Sequence, residues 1–179
     1  MNTEQIYYAG IGSRETPEYI CSYLMRAARL LALNNFVLRS GGAEGADISF
    51  EIGAEIGKGH MEIYIPWTKF NNSKHSVTPI TQEALELAKK YHPRFNHLSY
   101  AAKKLMARNG YQILGPNLDK PSSFVLCYTP NGKGGGGTGQ ALRIAKDRNI
   151  PIFDFGSPVN KLCPWTNMAH FLKPWINID

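Results

Sequence analysis

Five short apolar runs, separated by stretches of helical periodicity, restrict this sequence to a narrow set of folds. They are Ile6–Ile11, Phe36–Leu38, Met61–Ile65, Ser123–Tyr128 and Ile150–Phe155. None alternates apolar with polar residues, so each reads as a strand covered on both faces. Between the first two, Glu18–Leu33 places Ile20, Leu24, Ala27, Leu30 and Leu31 at helical spacing. Pro17 suits the first turn of that helix, with Thr16 as its cap. Further helices are expected over 46–56, over 81–91 with Thr81 as cap, over 99–109, and from the glycine run to about Arg148. Strands alternating with helices predict an α/β fold: one domain with a mostly parallel sheet flanked by helices on both faces. A length of 179 residues suits one such domain. The tail from Gly156, with Pro158, Pro164 and Pro174, is expected to be irregular and to pack on the core.

Ligands of parallel sheets sit beyond the C-terminal strand ends. Three loops fall there, and each carries glycine: Gly10–Arg14, Ser40–Asp47 and Thr129–Thr138. Strand, glycine loop and helix start together make an anion site, because small residues let backbone N–H groups approach a phosphate. No GxGxxG follows the first strand, and Lys133 precedes the glycines of Gly134–Gly137 rather than following them. Dinucleotide hydride chemistry and Walker-type phosphoryl transfer are therefore disfavoured, and no cofactor is expected.

The candidate ligand residues follow from these loops. In Gly12-Ser13-Arg14 the hydroxyl and the guanidinium suit a phosphate. In Ser40-Gly41-Gly42 the glycines permit a tight turn, and Asp47 either fixes the loop or bonds a ribose hydroxyl. Gly135, Gly136, Gly137 and Thr138 offer N–H groups and a hydroxyl, and Arg108 and Asn109 reach in from a helix end. Glu44, and Glu51 one turn beyond Asp47, are the carboxylates available for acid/base work. Trp67, Phe70 and Tyr111 are candidates for stacking on a base.

Lys and Arg number 20 against 14 Asp and Glu, a net charge of +6 that favours anionic partners, although the charges read as scattered. Cys21, Cys127 and Cys163 are far apart and show no CxxC spacing, so neither a disulfide framework nor a metal site is expected. The polar start Met1–Gln5 runs straight into a strand pattern, and no apolar run approaches the ~20 residues that span a bilayer. A cytoplasmic protein with no membrane association, homodimeric by default, is the expectation.

Together the motifs resemble the Rossmann-like SLOG superfamily, which includes DNA-processing protein A, the Lonely Guy phosphoribohydrolases and YspA-like proteins. The resemblance spans most of residues 6–155 and rests on four segments. They are Gly12-Ser13-Arg14, Ser40–Asp47, Arg108-Asn109 followed by Ile113 and Gly115 before a strand, and Gly134–Thr138. It implies a nucleotide-binding domain over 1–155 and an extension over 156–179. The phosphoribohydrolases carry a catalytic glutamate after the Gly-Thr, where this chain has Gln140 and Ala141. Glu44 stands where DNA-processing proteins have arginine. The reading is therefore binding of a nucleotide-like small molecule without turnover. The alternatives are cleavage of the N-glycosidic bond of a nucleoside monophosphate, using Glu44 or Glu51, and binding of single-stranded nucleic acid.

Overall fold

The computed structural model describes residues 5–176; the readings made for 1–4 and 177–179 lie outside it. Five strands form one sheet: β1 (Tyr7–Gly12), β2 (Val37–Ser40), β3 (Met61–Ile63), β4 (Phe124–Tyr128) and β5 (Ile152–Asp154). Their order is β3-β2-β1-β4-β5 and every pairing is parallel, with Tyr8 opposite both Leu38 and Phe124. Each expected apolar run supplies one strand.

The pleat splits β1 between two cores. Tyr8 packs with Leu38, Phe124 and Leu126 under α1 (Glu18–Leu33) and α2 (Ala46–Ile56). Ala9 and Ile11 face the other way, onto α4 (Tyr100–Leu114) and α5 (Gly136–Asp147), with α3 (Gln82–Tyr91) beside them. The helical stripe of α1 is as the periodicity places it, with Ile20, Leu24, Ala27 and Leu31 buried. Thr81 accepts a hydrogen bond from the Ala84 N–H at 3.2 Å and so caps α3 as expected.

Three local readings are corrected. Thr16 does not cap α1: the cap position is Pro17, and the Thr16 hydroxyl donates to the Ser13 carbonyl at 2.6 Å instead. α4 does not stop at Asn109 but continues to Leu114, so Ile113 is helical; Gly115, at φ 79°, ends it. The tail is helical rather than irregular, as α6 (Pro158–Leu162) and α7 (Pro164–Leu172). Pro158 and Pro164 open these helices, because the ring fixes a helical φ and the missing N–H is not needed in the first turn. Beyond α7, Trp175 lies 4.6 Å, centroid to centroid, from the Phe124 ring, and Phe171 of α7 lies 6.0 Å from it.

Candidate functional site

Strand order reverses between β1 and β4, and helices in this topology run antiparallel to the strands. A crevice is therefore left at the strands' C-terminal ends, flanked by the starts of α2 and α5 and by the middle of α4. A cleft of about 450 Å³ opens there, within the size range of small-molecule sites. Gly12, Ser13 and Arg14 form the wall after β1, and Ala43 and Asp47 the wall before and at the start of α2. Gly135–Thr138 form the wall after β4. No side chain caps α5, so the N–H groups of its first turn and the positive end of its dipole are left for an anion.

The floor is built around Arg108. Its guanidinium donates to the carbonyls of Gly41 and, at 3.2 Å, of Tyr64, and it lies 5.1 Å from the centre of the Phe70 ring. Its Nε–H is buried without a partner among the described residues, although Arg108 lines the cleft. A Cβ at position 41 would lie 2.7 Å from the Arg108 Cζ, so only glycine admits the guanidinium. Burial lowers the Arg108 pKa to about 10, against the raising effect of Asp47. Burial raises that of Asp47 to about 6, against the lowering effects of Arg108 and of loop N–H groups. The Asp47 carboxylate accepts from the Ala43 N–H at 3.4 Å, a long bond that ties it to its own loop. Asn109 donates to the Gly137 carbonyl at 3.1 Å and to the Gln140 Oε1 at 2.9 Å, fastening α4 to the first turn of α5.

The structure brings together Gly12, Ser13, Arg14, Asp47, Arg108 and Asn109 with Gly135, Gly136, Gly137 and Thr138. Five other candidates do not line the cleft. Ser40 is fully buried, and its hydroxyl donates to the Gly10 carbonyl at 2.6 Å, joining β2 to β1. Gly41 and Gly42 lie behind the wall, where their carbonyls accept from Arg108 and, at 3.0 Å, from Asn71. Glu44 is exposed outside the cleft. Glu51 is one turn past Asp47, as its spacing requires, but α2 descends away from the strand ends by about 5.4 Å per turn. There its carboxylate meets His75 at 2.7 Å.

The stacking candidates are also placed elsewhere. Tyr111 is buried, donating to the Pro79 carbonyl at 3.1 Å, and Trp67 packs edge-on against Phe70. The cleft's apolar surface comes instead from Ile11, Leu105, Met106 and Ala141. Ala141, not Gln140, is the cleft residue after the Gly-Thr; Gln140 is fully buried beneath it. Sequence reasoning also missed Lys133, Thr129, Gln112 and Glu15 in the cleft. Lys133 was legible as the one cation beside the glycines, whereas Gln112 follows only from the longer α4.

One long stretch of the sequence is free of acidic residues, although Lys90 within it faces Asp147 of α5 at 3.7 Å and Arg108 within it is buried. Residues 87–118 contain Lys89, Lys90, Arg94, Lys103, Lys104 and Arg108 and no acid, so they account for the whole net charge of +6. This segment includes the start of α4, which the topology places at the cleft end of the sheet. Among the described residues, no group of three or more His, Cys, Asp or Glu could hold a metal ion. No helix among them is long and apolar enough to cross a membrane.

Fold and cleft together define a Rossmann-like α/β domain with a cleft at its topological switch point. Solved structures of two kinds of protein share the fold. DNA processing protein A from Helicobacter pylori, a single-stranded DNA-binding protein, matches with a TM-score of 0.55 at 20% identity over 83% of this chain. DNA processing protein A from Streptococcus pneumoniae matches with a TM-score of 0.58 at 17% identity over 98% of it. This chain spans only 64% and 59% of those two chains. The Moco carrier protein of Chlamydomonas reinhardtii matches with a TM-score of 0.54 at 15% identity, covering 94% of this chain and 86% of that one. They share the Rossmann-like fold that the resemblance of the motifs implies. No protein-family model and no curated protein matches the sequence.

Proposed function

We propose that this protein binds a nucleotide or nucleotide-derived small molecule in the switch-point cleft, without turning it over. The observation that carries this reading is the convergence of three loops and the uncapped start of α5 on one cleft of about 450 Å³. A phosphate fits the α5 end with Arg14 and Lys133 beside it, and a ring fits the apolar surface of Leu105 and Met106. The fold's occurrence in a DNA-binding protein and in a cofactor carrier agrees with a ligand of this chemistry. Binding is preferred to N-glycosidic cleavage by Glu44 or Glu51 because both lie outside the cleft, Ala141 offers a methyl group where the resemblance calls for a carboxylate, and the buried carboxylate that does line the cleft, Asp47, is tied to its own loop. Mass spectrometry of small molecules released from the purified protein, with calorimetry against a nucleotide panel, tests the proposal. No released species and no affinity at millimolar nucleotide would remove it.

One observation favours a second reading, binding of single-stranded nucleic acid. The acid-free segment 87–118 carries Tyr100 71% exposed, with the Lys104 ammonium 4.9 Å from the ring centre. Cations beside an exposed ring suit a stacked base and its phosphates. This reading predicts oligonucleotide affinity that falls steeply with salt and is lost in Lys103→Gln/Lys104→Gln. Either reading is compatible with a homodimer, which light scattering tests.

A further inference from the structure

The cleft wall that carries Lys133 is fastened from behind. Thr129, Pro130 and Lys133 line the cleft, and the turn between them includes Asn131 and Gly132 at φ 56° and 69°. The turn has two hydrogen bonds of its own, from the Gly132 N–H to the Thr129 carbonyl at 3.1 Å and from the Lys133 N–H to the Pro130 carbonyl at 3.2 Å, and its other partners lie at and just beyond the end of β5. The Asp154 Oδ1 accepts from the Thr129 N–H at 2.9 Å and the Gly156 N–H at 2.8 Å, and its Oδ2 accepts from the Thr129 hydroxyl. The Asp154 carbonyl accepts from Asn160 Nδ2 at 2.9 Å, and Lys161 Nζ donates to Asn131 Oδ1 at 3.1 Å. Gly156 is so close to the Thr129 carbonyl that a Cβ there would overlap it.

We infer that Asp154 is a positioning residue for the cleft: it sets the shape of loop 129–133, and hence the place of Lys133 at the anion end, without touching the ligand. The start of the C-terminal extension is thus the outer support of the binding site. The inference rests on the cleft being the ligand site, although its local part can be measured without ligand. Asparagine keeps the hydrogen-bond geometry, since its carbonyl oxygen accepts from the two N–H groups and its NH₂ donates to the Thr129 hydroxyl. Alanine keeps none of it.

Hydrogen exchange by mass spectrometry and calorimetry on wild type, Asp154→Ala, Asp154→Asn and Thr129→Val test this. In Asp154→Ala, exchange should rise across 129–138 while the amides of β1 and α4 stay protected. Affinity for nucleoside monophosphates should fall about tenfold, with affinity for the matching nucleosides unchanged. Asp154→Asn should restore both, and Thr129→Val, which loses one bond of the three, should fall between. Should Asp154→Ala fail to fold, the milder Thr129→Val carries the same two readouts. Unchanged exchange at 129–138, an equal loss for nucleosides, or an Asp154→Asn variant as impaired as Asp154→Ala would overturn the inference. If wild type binds no nucleotide, the functional proposal fails by itself, and the exchange pattern still decides whether Asp154 holds the loop.

Discussion

Asp47→Asn tests whether the cleft is built at the expense of the fold. Asp47 is 3% exposed, and burial raises its pKa from an ordinary 3.8 to about 6 despite the opposing pull of Arg108. The unfolded chain releases this proton near pH ~4, and the folded chain holds it until about pH 6. An acid shifted upward destabilises the fold once ionised, so its contribution falls as pH rises through that window and is constant above it. A rise of about two pH units at 1.36 kcal/mol each is about 3 kcal/mol. The carboxamide stands in for the protonated acid. The variant should therefore equal wild type near pH ~4 and exceed its unfolding free energy by about 3 kcal/mol at pH ~8. Urea unfolding of both proteins at intervals across this range measures the difference. Comparing the two proteins at each pH cancels Glu55, Glu83 and Asp147. Lys74, the N–H of Glu83 itself and the Tyr91 hydroxyl respectively lower their pKa values, so they act in the opposite sense. A difference that does not vary with pH, or a variant that loses ground as pH rises, would refute the burial argument.

Other perturbations probe separate parts of the account. Gly41→Ala drives a methyl group into the Arg108 guanidinium and Gln112; it should cost about 2–4 kcal/mol in urea unfolding and abolish nucleotide binding. Phe124→Ala opens a cavity where Tyr8, Phe36, Phe171 and Trp175 meet; it should cost about 3–5 kcal/mol and release the C-terminal helix to proteolysis. Arg14→Gln and Lys133→Gln should each weaken calorimetric binding of nucleoside monophosphates about tenfold, leave nucleosides unaffected, and leave unfolding within about 0.5 kcal/mol of wild type.

The sheet was legible because its strands are short and mainly apolar, and β1, β2 and β4 are buried along most of their length, which leaves periodicity little ambiguity. The helix ends were less so. Pro17 and Pro158 look alike as punctuation, yet one occupies a cap and the other a first turn, a difference of local hydrogen bonding that composition does not carry. In the site, backbone-defined positions such as Gly12 and Gly135–Thr138 were readable because strand ends and glycine runs locate them. Side-chain roles were not. Ser40 points into the sheet and Glu51 is carried away by the fall of α2, outcomes set by pleat and helix direction rather than residue type. Leu105 and Met106 were invisible as cleft residues because an apolar helical stripe reads as core until the neighbouring helix is placed.

The central claim is that a phosphate-bearing ligand sits in the cleft with its anionic end at the start of α5. A crystal structure of the protein soaked with a nucleoside monophosphate tests this most directly. Phosphate density is expected within hydrogen-bonding distance of the N–H groups of Gly136–Thr138, with Arg14 or Lys133 in contact and the ring against Leu105 and Met106. Nucleotide ordered elsewhere on the surface, or bound in the cleft with its phosphate turned away from α5, would contradict it.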